Sequence, residues 1–353
     1  MSQSIEERIK KALFNIRKRQ LVLFESISHP ELVHRIAQIL GVEPRKVDID
    51  LFSNNETRYH YHGSVRGCDV YILETKRPDS SREEIAYFKD LLYKGIDAAV
   101  RGDAERVVAI TPYWWEARAD KKDTRHISVG GAMTFRILKE MGASKIITFD
   151  LHNEAFTAFA DRNCTINNLS ALYKFAEIIK KMKAENGDVV HSVWVPDKDL
   201  ERARRLAKYS GIEQASMIEK SRSANEIHGG ILHGNISPNQ VVHLVDDEGA
   251  SFSSIKMAVR SLRRAGVGKI FVYLTFNFMR QEYLAQLVKE YKNDPLLRID
   301  KLYFTDAVPS PNFDLSKYPF PVEIVSIADI LAQAIQAIHF KESLKDIYKY
   351  ENE

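Results

Sequence analysis

The sequence contains little cysteine, no long apolar run and no large excess of charge of either sign. Cys68 and Cys164 are its only cysteines among 353 residues, and they form neither a CxxC pair nor a disulfide framework. This scarcity fits a reducing compartment. Lys and Arg total 51 and Asp and Glu total 48, for a net charge of +3. The basic residues are dispersed, so a nucleic-acid partner is not expected.

The longest apolar stretch, residues 270–279, is far too short to span a bilayer. Near the start of the chain, Glu6 and Glu7 occupy positions where a signal peptide needs an apolar run. We therefore expect a cytoplasmic protein that does not associate with membranes. Residues 1–19 are expected to form a helical extension, because apolar residues recur there at helical spacing. We expect its apolar stripe to pack on the body of the protein or on a partner subunit.

The rest of the chain has the pattern of an α/β protein of about two domains, since 44% of its residues are apolar and 28% are charged. An apolar run at 107–110, a helical pattern ending at Gly142 and a run at 145–149 predict one βαβ unit. Residues 241–275 repeat this order. We expect mainly parallel sheets flanked by helices.

The two βαβ units also resemble each other in residues. ILKEMGASKIITF at 137–149 aligns without gaps on SLRRAGVGKIFVY at 261–273. A duplicated α/β domain explains this match, and coincidence between two unrelated βαβ units is the alternative. The domains are predicted at 20–165 and 166–328, with a C-terminal helix at 329–353 that packs on the first domain.

Carboxylates and one histidine follow several predicted strands, at the edge where open α/β sheets bind ligands. Asp150 and His152 follow one strand, Asp197 follows another, and Asp246 and Asp247 follow a third. Paired carboxylates hold either ribose hydroxyls or Mg²⁺. A lone histidine is more often a structural hydrogen-bonding group than a ligand.

Three further segments carry groups suited to phosphate. Ser251, Ser253 and Ser254 open a helix, where hydroxyls and backbone N–H groups can bind an anion, although an acidic N-cap is the plain alternative. Residues 118–123 carry three cations and two acids, as a triphosphate with Mg²⁺ would require, but such runs are usually solvated surface. The Lys220-Ser221-Arg222 run lies in a predicted loop and could neutralise phosphoryl oxygens.

Taken in order, these segments closely resemble the ribose-phosphate diphosphokinase (PRPP synthetase) family along nearly the whole chain after residue 20. The matching segments are LFSNNETRYHYHGSVRGCDVYILET (51–75), PYWWEARADKKD (112–123), KIITFDLH (145–152), IEKSRSAN (218–225), VDDEGASFSS (245–254), FTDAVP (304–309) and VEIVSIADILAQAIQAIHFKESL (322–344). The resemblance implies two type I phosphoribosyltransferase-like domains. It also implies a homo-oligomer built from dimers, commonly a hexamer, with an ATP site shared between subunits.

The resemblance further implies a role for each matching position. The nucleotide would be bound by Phe52, Asn54 and Glu56 from a neighbouring subunit and by Arg118 and Asp123. Mg²⁺ would be bound by His152 and Asp197. The acceptor sugar phosphate would be bound by Asp246, Asp247, Ser251, Ser253 and Ser254. Lys220 and Arg222 would stabilise the diphosphoryl group of ATP, the co-substrate, as AMP leaves.

Two loops depart from the family pattern. Ala250 replaces an aspartate and Phe252-Ser253 replaces a glycine pair in the ribose-phosphate loop, so the 5-phosphate pocket is expected to differ. Residues 196–200 read PDKDL, without the two glycines that usually wrap the diphosphate.

Three functions are therefore compatible with the sequence. The first is diphosphate transfer from ATP to ribose 5-phosphate. The second uses a larger acceptor, ADP-ribose, admitted by an aromatic side chain at 252, to give ADP-ribose pyrophosphate for NAD synthesis. The third is a catalytically silent paralogue that regulates an active synthetase. Retention of Lys220, Arg222, His152 and Asp197 favours an active enzyme.

Overall fold

The computed structural model describes residues 20–122, 124–187, 189–197, 199–223, 226–309, 314–344 and 347. The predicted helical extension at 1–19 and Asp123 lie outside these ranges, as do the side chains of residues 221–223 and 226–228. The described residues form two units. The first runs to Leu169 and also includes the residues from Ala328 onward, and the second is Ser170–Ile327.

The first unit is built on a five-stranded parallel sheet in the order β1-β4-β5-β6-β7. Its strands are β1 (Leu21–Leu23), β4 (Asp69–Leu73), β5 (Arg106–Ile110), β6 (Lys145–Phe149) and β7 (Thr165–Leu169). All five residues of β4 are buried, as expected for a strand covered on both faces. Strands β2 (Val47–Leu51) and β3 (Thr57–Tyr61) form a separate antiparallel hairpin.

Four helices of the described residues accompany this sheet: α1 (Pro30–Leu40), α2 (Arg82–Arg101), α3 (Gly130–Glu140) and α8 (Ala328–Phe340). Local sequence fixes their ends. A capping box starts α2, in which the Ser81 hydroxyl accepts from the Glu84 N–H at 3.1 Å and the Ser81 N–H donates to the Glu84 carboxylate at 2.8 Å. Helix α1 ends at Gly41, whose φ of 62° suits glycine.

The second unit contains a seven-stranded sheet in the order β10-β9-β8-β11-β12-β13-β14, parallel except for the β9–β10 pair. Its strands are β8 (His191–Val195), β9 (Ala215–Ser223), β10 (Glu226–His233), β11 (Val241–Gly249), β12 (Lys269–Asn277), β13 (Lys301–Thr305) and β14 (Val322–Val325). Its helices are α4 (Leu172–Asn186), α5 (Leu200–Ser210), α6 (Ser253–Arg264) and α7 (Gln281–Asn293). Short 3₁₀ helices occur at Glu154–Phe159 in the first unit and Leu315–Lys317 in the second.

The observed architecture confirms the predicted α/β class with mainly parallel sheets. The predicted boundary at 165/166 falls at the start of β7, which pairs with β6 and so completes the first sheet; the division between units lies after Leu169. Helix α8 belongs to the first unit, where the Ile335 carbonyl accepts from the Tyr71 hydroxyl at 3.2 Å. Within the described residues, no helix has the length and apolarity needed to cross a membrane.

Candidate functional site

In the first unit, the candidate nucleotide segment follows β5 and passes through a pair of buried tryptophans. Trp114 and Trp115 are each 1% exposed. Trp115 forms a buried apolar cluster with Phe88 and Leu91 of α2, and Ile49 and Tyr59 of the β2–β3 hairpin pack against that cluster. This apolar anchor holds the segment that carries Arg118 and also fixes the base of the hairpin.

Arg118 lines a cavity of about 400 Å³ together with Lys76, Lys89, Tyr113, Trp115 and Glu116. The Lys76 ammonium lies 4.3 Å from the centre of the Tyr113 ring. Lys89 forms an ion pair with Glu116. Three cations and two aromatic rings around one cavity suit a nucleotide polyphosphate. Sequence reasoning missed Lys76 and Lys89, because neither stands in a recognisable motif.

His152 is exposed in the loop that follows β6. This loop is joined to the Arg118 segment, since the Asn153 side-chain amide donates to the Asp120 carboxylate at 3.0 Å. Asp150, at the end of the strand, is buried and has a φ of 34°, so the chain turns sharply before His152. The sequence-predicted residues Arg118 and His152 thus lie on two adjoining loops at the carboxyl edge of one sheet.

Phe52, Asn54 and Glu56 occupy the turn of the β2–β3 hairpin, where all three are exposed. The turn is closed by a hydrogen bond from the Phe52 N–H to the Glu56 carbonyl at 2.8 Å. The Phe52 ring is 45% exposed, with the Arg58 guanidinium 5.5 Å from its centre. An exposed aromatic ring on a short turn is available to a ligand or another chain.

In the second unit, Asp197 and Lys220 meet directly. The Lys220 ammonium lies 2.6 Å from the Asp197 carboxylate, and the two side chains are 17% and 50% exposed. Asp197 follows β8, which pairs in parallel with β9, the strand that carries Lys220. The sheet therefore brings together two residues that are 23 positions apart in sequence.

The prediction that Lys220 and Arg222 lie in a loop was wrong, because both are in β9. Strands β9 and β10 form an antiparallel ladder in which Lys220 is opposite Gly230. Residues 224–225, which connect them, lie outside the described residues. Two strands joined this closely can satisfy each other's backbone hydrogen bonds, although their polar side chains conceal the strand pattern.

Asp246 and Asp247 lie in β11, on the other side of β8. Although Asp246 keeps part of its surface exposed, burial of its carboxyl group raises its pKa, and the neighbouring Asp247 charge raises it further. The Arg202 guanidinium, 8% exposed in α5, lowers this pKa and so opposes both effects. Sequence reasoning missed Arg202, because it lies inside an ordinary helical pattern.

The predicted hydroxyl cluster lies at the start of α6. The Ser251 and Ser253 hydroxyls are 2.9 Å apart, and Ser253 and Ser254 are the first two residues of the helix. Phe252, which lies between Ser251 and Ser253, adopts a left-handed φ of 57° and is only 2% exposed. Its ring packs in the core of the second unit and lies close to Gly249. The sequence suggests that the aromatic side chain at 252 contacts a larger acceptor. In the structure this side chain instead points into the core.

Each unit thus presents its own charged groups at the carboxyl edge of a parallel sheet. The first has Arg118 and His152, with the cationic cavity, and the second has Asp197, Lys220 and the twin aspartates. Cations beside carboxylates are the groups that phosphoryl transfer requires, because the reaction depends on positioning and charge neutralisation.

Comparison with known proteins shows which proteins this chain resembles. Residues 21–142 match a model of the N-terminal domain of ribose phosphate pyrophosphokinase. Ribose-phosphate pyrophosphokinase of Porphyromonas gingivalis is 28% identical over 336 residues, covering 93% of this chain and 97% of the relative. The protein of that name from Deinococcus radiodurans is 28% identical over 340 residues, covering 95% and 99%.

A solved structure shows the same similarity. Phosphoribosylpyrophosphate synthetase from Mycobacterium smegmatis superposes with a TM-score of 0.78 at 25% identity, covering 91% of this chain and 99% of that one. The match confirms the expected fold of two phosphoribosyltransferase-like domains. With the ordered motifs and the strand-edge residues described above, it shows that the chain is similar to ribose-phosphate pyrophosphokinases along nearly its whole length.

Proposed function

We propose that the protein transfers the β,γ-diphosphate of ATP to the C1 hydroxyl of ribose 5-phosphate and releases AMP. The curated relatives named above are ribose-phosphate pyrophosphokinases, and they match nearly the whole chain. One structural observation carries the proposal beyond resemblance. The Lys220 ammonium and the Asp197 carboxylate lie 2.6 Å apart, so a phosphate-neutralising cation and a candidate metal ligand share one strand edge.

ATP binding is assigned to the first unit. The Arg118 cavity offers cations for the phosphates and aromatic rings for the base or ribose. Asp123 is part of the same proposal, although it lies outside the described residues. Arg118 binds ATP in its ground state in this scheme, so its loss should affect the KM for ATP more than turnover.

The side chains proposed for Mg²⁺ are His152 and Asp197. Mg²⁺ prefers oxygen ligands and keeps several waters, so the half-exposed Asp197 carboxylate fits it as a direct ligand. An imidazole is a less typical partner for Mg²⁺, and the exposed His152 fits best as one ligand among phosphate oxygens and waters, or through a water. When bound, Mg²⁺ neutralises charge on the phosphate oxygens of ATP.

The sugar phosphate is assigned to the second unit. Asp246 and Asp247 accept hydrogen bonds from the ribose hydroxyls, and Ser251, Ser253 and Ser254 bind the 5-phosphate with the N–H groups at the start of α6. Lys220 and Arg222 stabilise the charge that develops on the diphosphoryl group as the C1 oxygen attacks the β-phosphorus. This attack forms the C1 oxygen to β-phosphorus bond and breaks the bond to the α,β-bridging oxygen, which leaves on AMP.

The loop at the start of α6 favours ribose 5-phosphate over ADP-ribose as the acceptor. A left-handed φ of 57° at Phe252 is a backbone conformation that glycine adopts without cost. The ring is buried in the core, so the loop keeps a glycine-like path and leaves the 5-phosphate position unobstructed. An aromatic side chain that selects a larger acceptor would instead need an exposed face.

We also propose a homo-oligomer in which the β2–β3 turn of one subunit reaches the nucleotide of another. Exposure supports this part of the proposal, because Phe52 presents 45% of its surface to solvent. A ring that stacks on adenine across a subunit boundary would be exposed in a single chain and covered in the assembly.

The proposal is tested by incubating the protein with ATP, Mg²⁺ and one acceptor, and measuring AMP by chromatography. We expect AMP with ribose 5-phosphate and at least tenfold less AMP with ADP-ribose. A tenfold difference is on the order of the loss of one favourable contact between enzyme and acceptor. AMP with ADP-ribose alone would identify the NAD-directed acceptor. No AMP with either acceptor would refute an enzymatic role and leave the regulatory paralogue.

A further inference from the structure

The β2–β3 hairpin carries a cluster of metal-binding side chains that neither ATP nor the acceptor uses in the proposal above. Asp48, His60 and His62 each offer a ligand atom, and these atoms lie within 4.8 Å of one another. Among the described residues, this is the one group of three histidine, cysteine or carboxylate side chains so arranged. The cluster is accessible, since Asp48 and His62 are 38% and 46% exposed.

Strand geometry explains why these three side chains meet. His60 lies in β3, and His62 directly follows the last residue of that strand. Because they are two positions apart, their side chains lie on one face, and their ring centres are 4.9 Å apart. Asp48 is opposite His60 in the antiparallel ladder. The His62 N–H extends the ladder by donating to the Lys46 carbonyl at 3.1 Å. The backbone therefore holds all three residues in register before any metal binds.

We propose that Asp48, His60 and His62 bind a divalent transition-metal ion, with Zn²⁺ as the reference ion. Two imidazoles and one carboxylate suit Zn²⁺, Ni²⁺ or Cu²⁺, whereas Mg²⁺ and Ca²⁺ prefer oxygen ligands alone. Tetrahedral Zn²⁺ with bonds of about 2.0–2.1 Å needs ligand atoms about 3.3 Å apart. The ligand atoms already lie within 4.8 Å of one another, so small rotamer changes of these exposed side chains bring them to that spacing, and water completes the coordination.

Two side chains already contact the Asp48 carboxylate and would compete with a metal ion for it. The His62 Nε2 and Lys46 Nζ atoms lie 2.6 Å and 3.0 Å from the Asp48 carboxylate. A metal replaces the His62 contact with a shared ion and displaces the Lys46 ammonium.

The site would join β2 to β3 at the end of the hairpin opposite the Phe52 turn. Binding would fix the separation of the two strands and so restrict the turn that carries Phe52, Asn54 and Glu56. This consequence for ATP rests on the proposed function, whereas metal binding itself does not. Direct measurement of binding therefore separates failure of one from failure of the other.

The test is isothermal titration of the metal-stripped full chain with Zn²⁺, followed by Ni²⁺ and Mg²⁺. We expect His60→Gln and His62→Gln each to weaken Zn²⁺ binding by about tenfold or more, as loss of a ligand requires. Lys46→Ala should tighten it by about twofold to fivefold, because an exposed competing cation is removed. Mg²⁺ should show no difference between the wild type and these variants.

A matched control is His233→Gln. His233 also stands on a strand beside a carboxylate, with its Nε2 atom 3.0 Å from Glu219, but no third ligand completes a group there among the described residues. This variant should bind Zn²⁺ as the wild type does. The proposal is overturned if His60→Gln and His62→Gln retain wild-type affinity, or if His233→Gln loses as much as they do. Circular dichroism checks that every variant is folded.

Discussion

The two βαβ units with the matching sequences differ most in the loop between the first strand and the helix. In the first unit, β5 is followed by a long segment, residues 111–129, which contains the buried tryptophans and Arg118 before α3 begins. In the second, β11 runs on through Asp246 and Asp247, and only residues 250–252 separate it from α6. A common frame therefore carries two different loops, as expected when scaffolds are kept and ligand loops vary.

The charged groups at these edges also differ in their environment. Arg118 lines an accessible cavity in the first unit, whereas Lys220 in the second is mostly buried against Asp197. Exposed groups that surround a cavity are suited to binding, and a largely buried cation paired with a carboxylate is suited to holding its charge in a fixed position. We infer that changes in the first unit alter affinity for ATP and that changes in the second alter turnover.

The largest effect is expected from Lys220→Ala. Because Lys220 is proposed to stabilise the transition state, its removal should lower kcat by about 10²–10³-fold, while the KM for ATP changes little. Steady-state kinetics with ATP and ribose 5-phosphate measure both constants. Lys289→Ala, an exposed lysine of α7, is the control and should behave as wild type. Near-normal turnover in Lys220→Ala would remove the second unit from the chemistry.

The next effect concerns the turn that distinguishes the second loop. Phe252→Gly removes a ring that is 2% exposed, which costs about 3–5 kcal/mol, and relieves a left-handed φ worth about 1–2 kcal/mol. We expect a net loss of about 2–3 kcal/mol in the free energy of unfolding, with the ratio of activities on ribose 5-phosphate and ADP-ribose unchanged. Denaturation and acceptor assays test both parts. A shift of that ratio would restore the aromatic side chain as a determinant of the acceptor.

Asp246→Asn should make the second unit more stable and less active. The raised pKa of Asp246 means that its charged form is disfavoured in the folded state, so its contribution to stability falls as pH rises from the unfolded-state pKa through the folded-state pKa. At pH 7 the substitution should add on the order of 1 kcal/mol, or about 2–4 °C in Tm.

This gain from Asp246→Asn should shrink as pH falls toward 4, because the wild-type carboxyl is then protonated. Thermal unfolding at several pH values follows the trend. Asp300→Asn, which removes a carboxylate paired with Arg263 at 2.6 Å, is the contrasting variant and should lower Tm. Equal Tm values for wild type and Asp246→Asn at every pH would contradict the assigned cost of the Asp246 charge.

An effect on ATP binding alone is expected from Phe52→Ala in the first unit. Because the ring is 45% exposed, its loss should hardly change Tm, but the KM for ATP should rise by about tenfold if the ring stacks on adenine. Kinetics at several protein concentrations would show whether that stacking depends on assembly. Leu51→Ala, at the 69% exposed residue next to it, is the control. An unchanged KM for ATP in Phe52→Ala would remove the hairpin turn from the nucleotide site.

The regular elements could be predicted from the sequence because their patterns are local. The predicted strand at 145–149 coincides with β6, and the apolar run at 107–110 lies inside β5. Burial on both faces gives such strands a continuous apolar signal. The Ser81 capping box is equally local. Patterns of this kind need no knowledge of distant residues.

The parts that depend on distant contacts were not predictable in this way. The sequence predicts a loop at Lys220 because β9 is polar near its end, and the pairing of this strand depends on β10. The burial of Phe252 could not be predicted without knowing the core that its ring packs in. It also depends on a positive φ, which is rare for an aromatic residue. Arg202 lowers the pKa of Asp246 because the two residues are close in the fold, and no sequence pattern reveals that proximity. The roles proposed for the site residues remain predictions.

Transfer of a diphosphate, rather than a single phosphate, is the central claim, and isotope tracing tests it most directly. ATP labelled with ³²P at either the β or the γ position should place both labels on the sugar product, with unlabelled AMP formed in equal amount. Label from the γ position alone, with ADP as the second product, would identify an ordinary kinase and contradict the account.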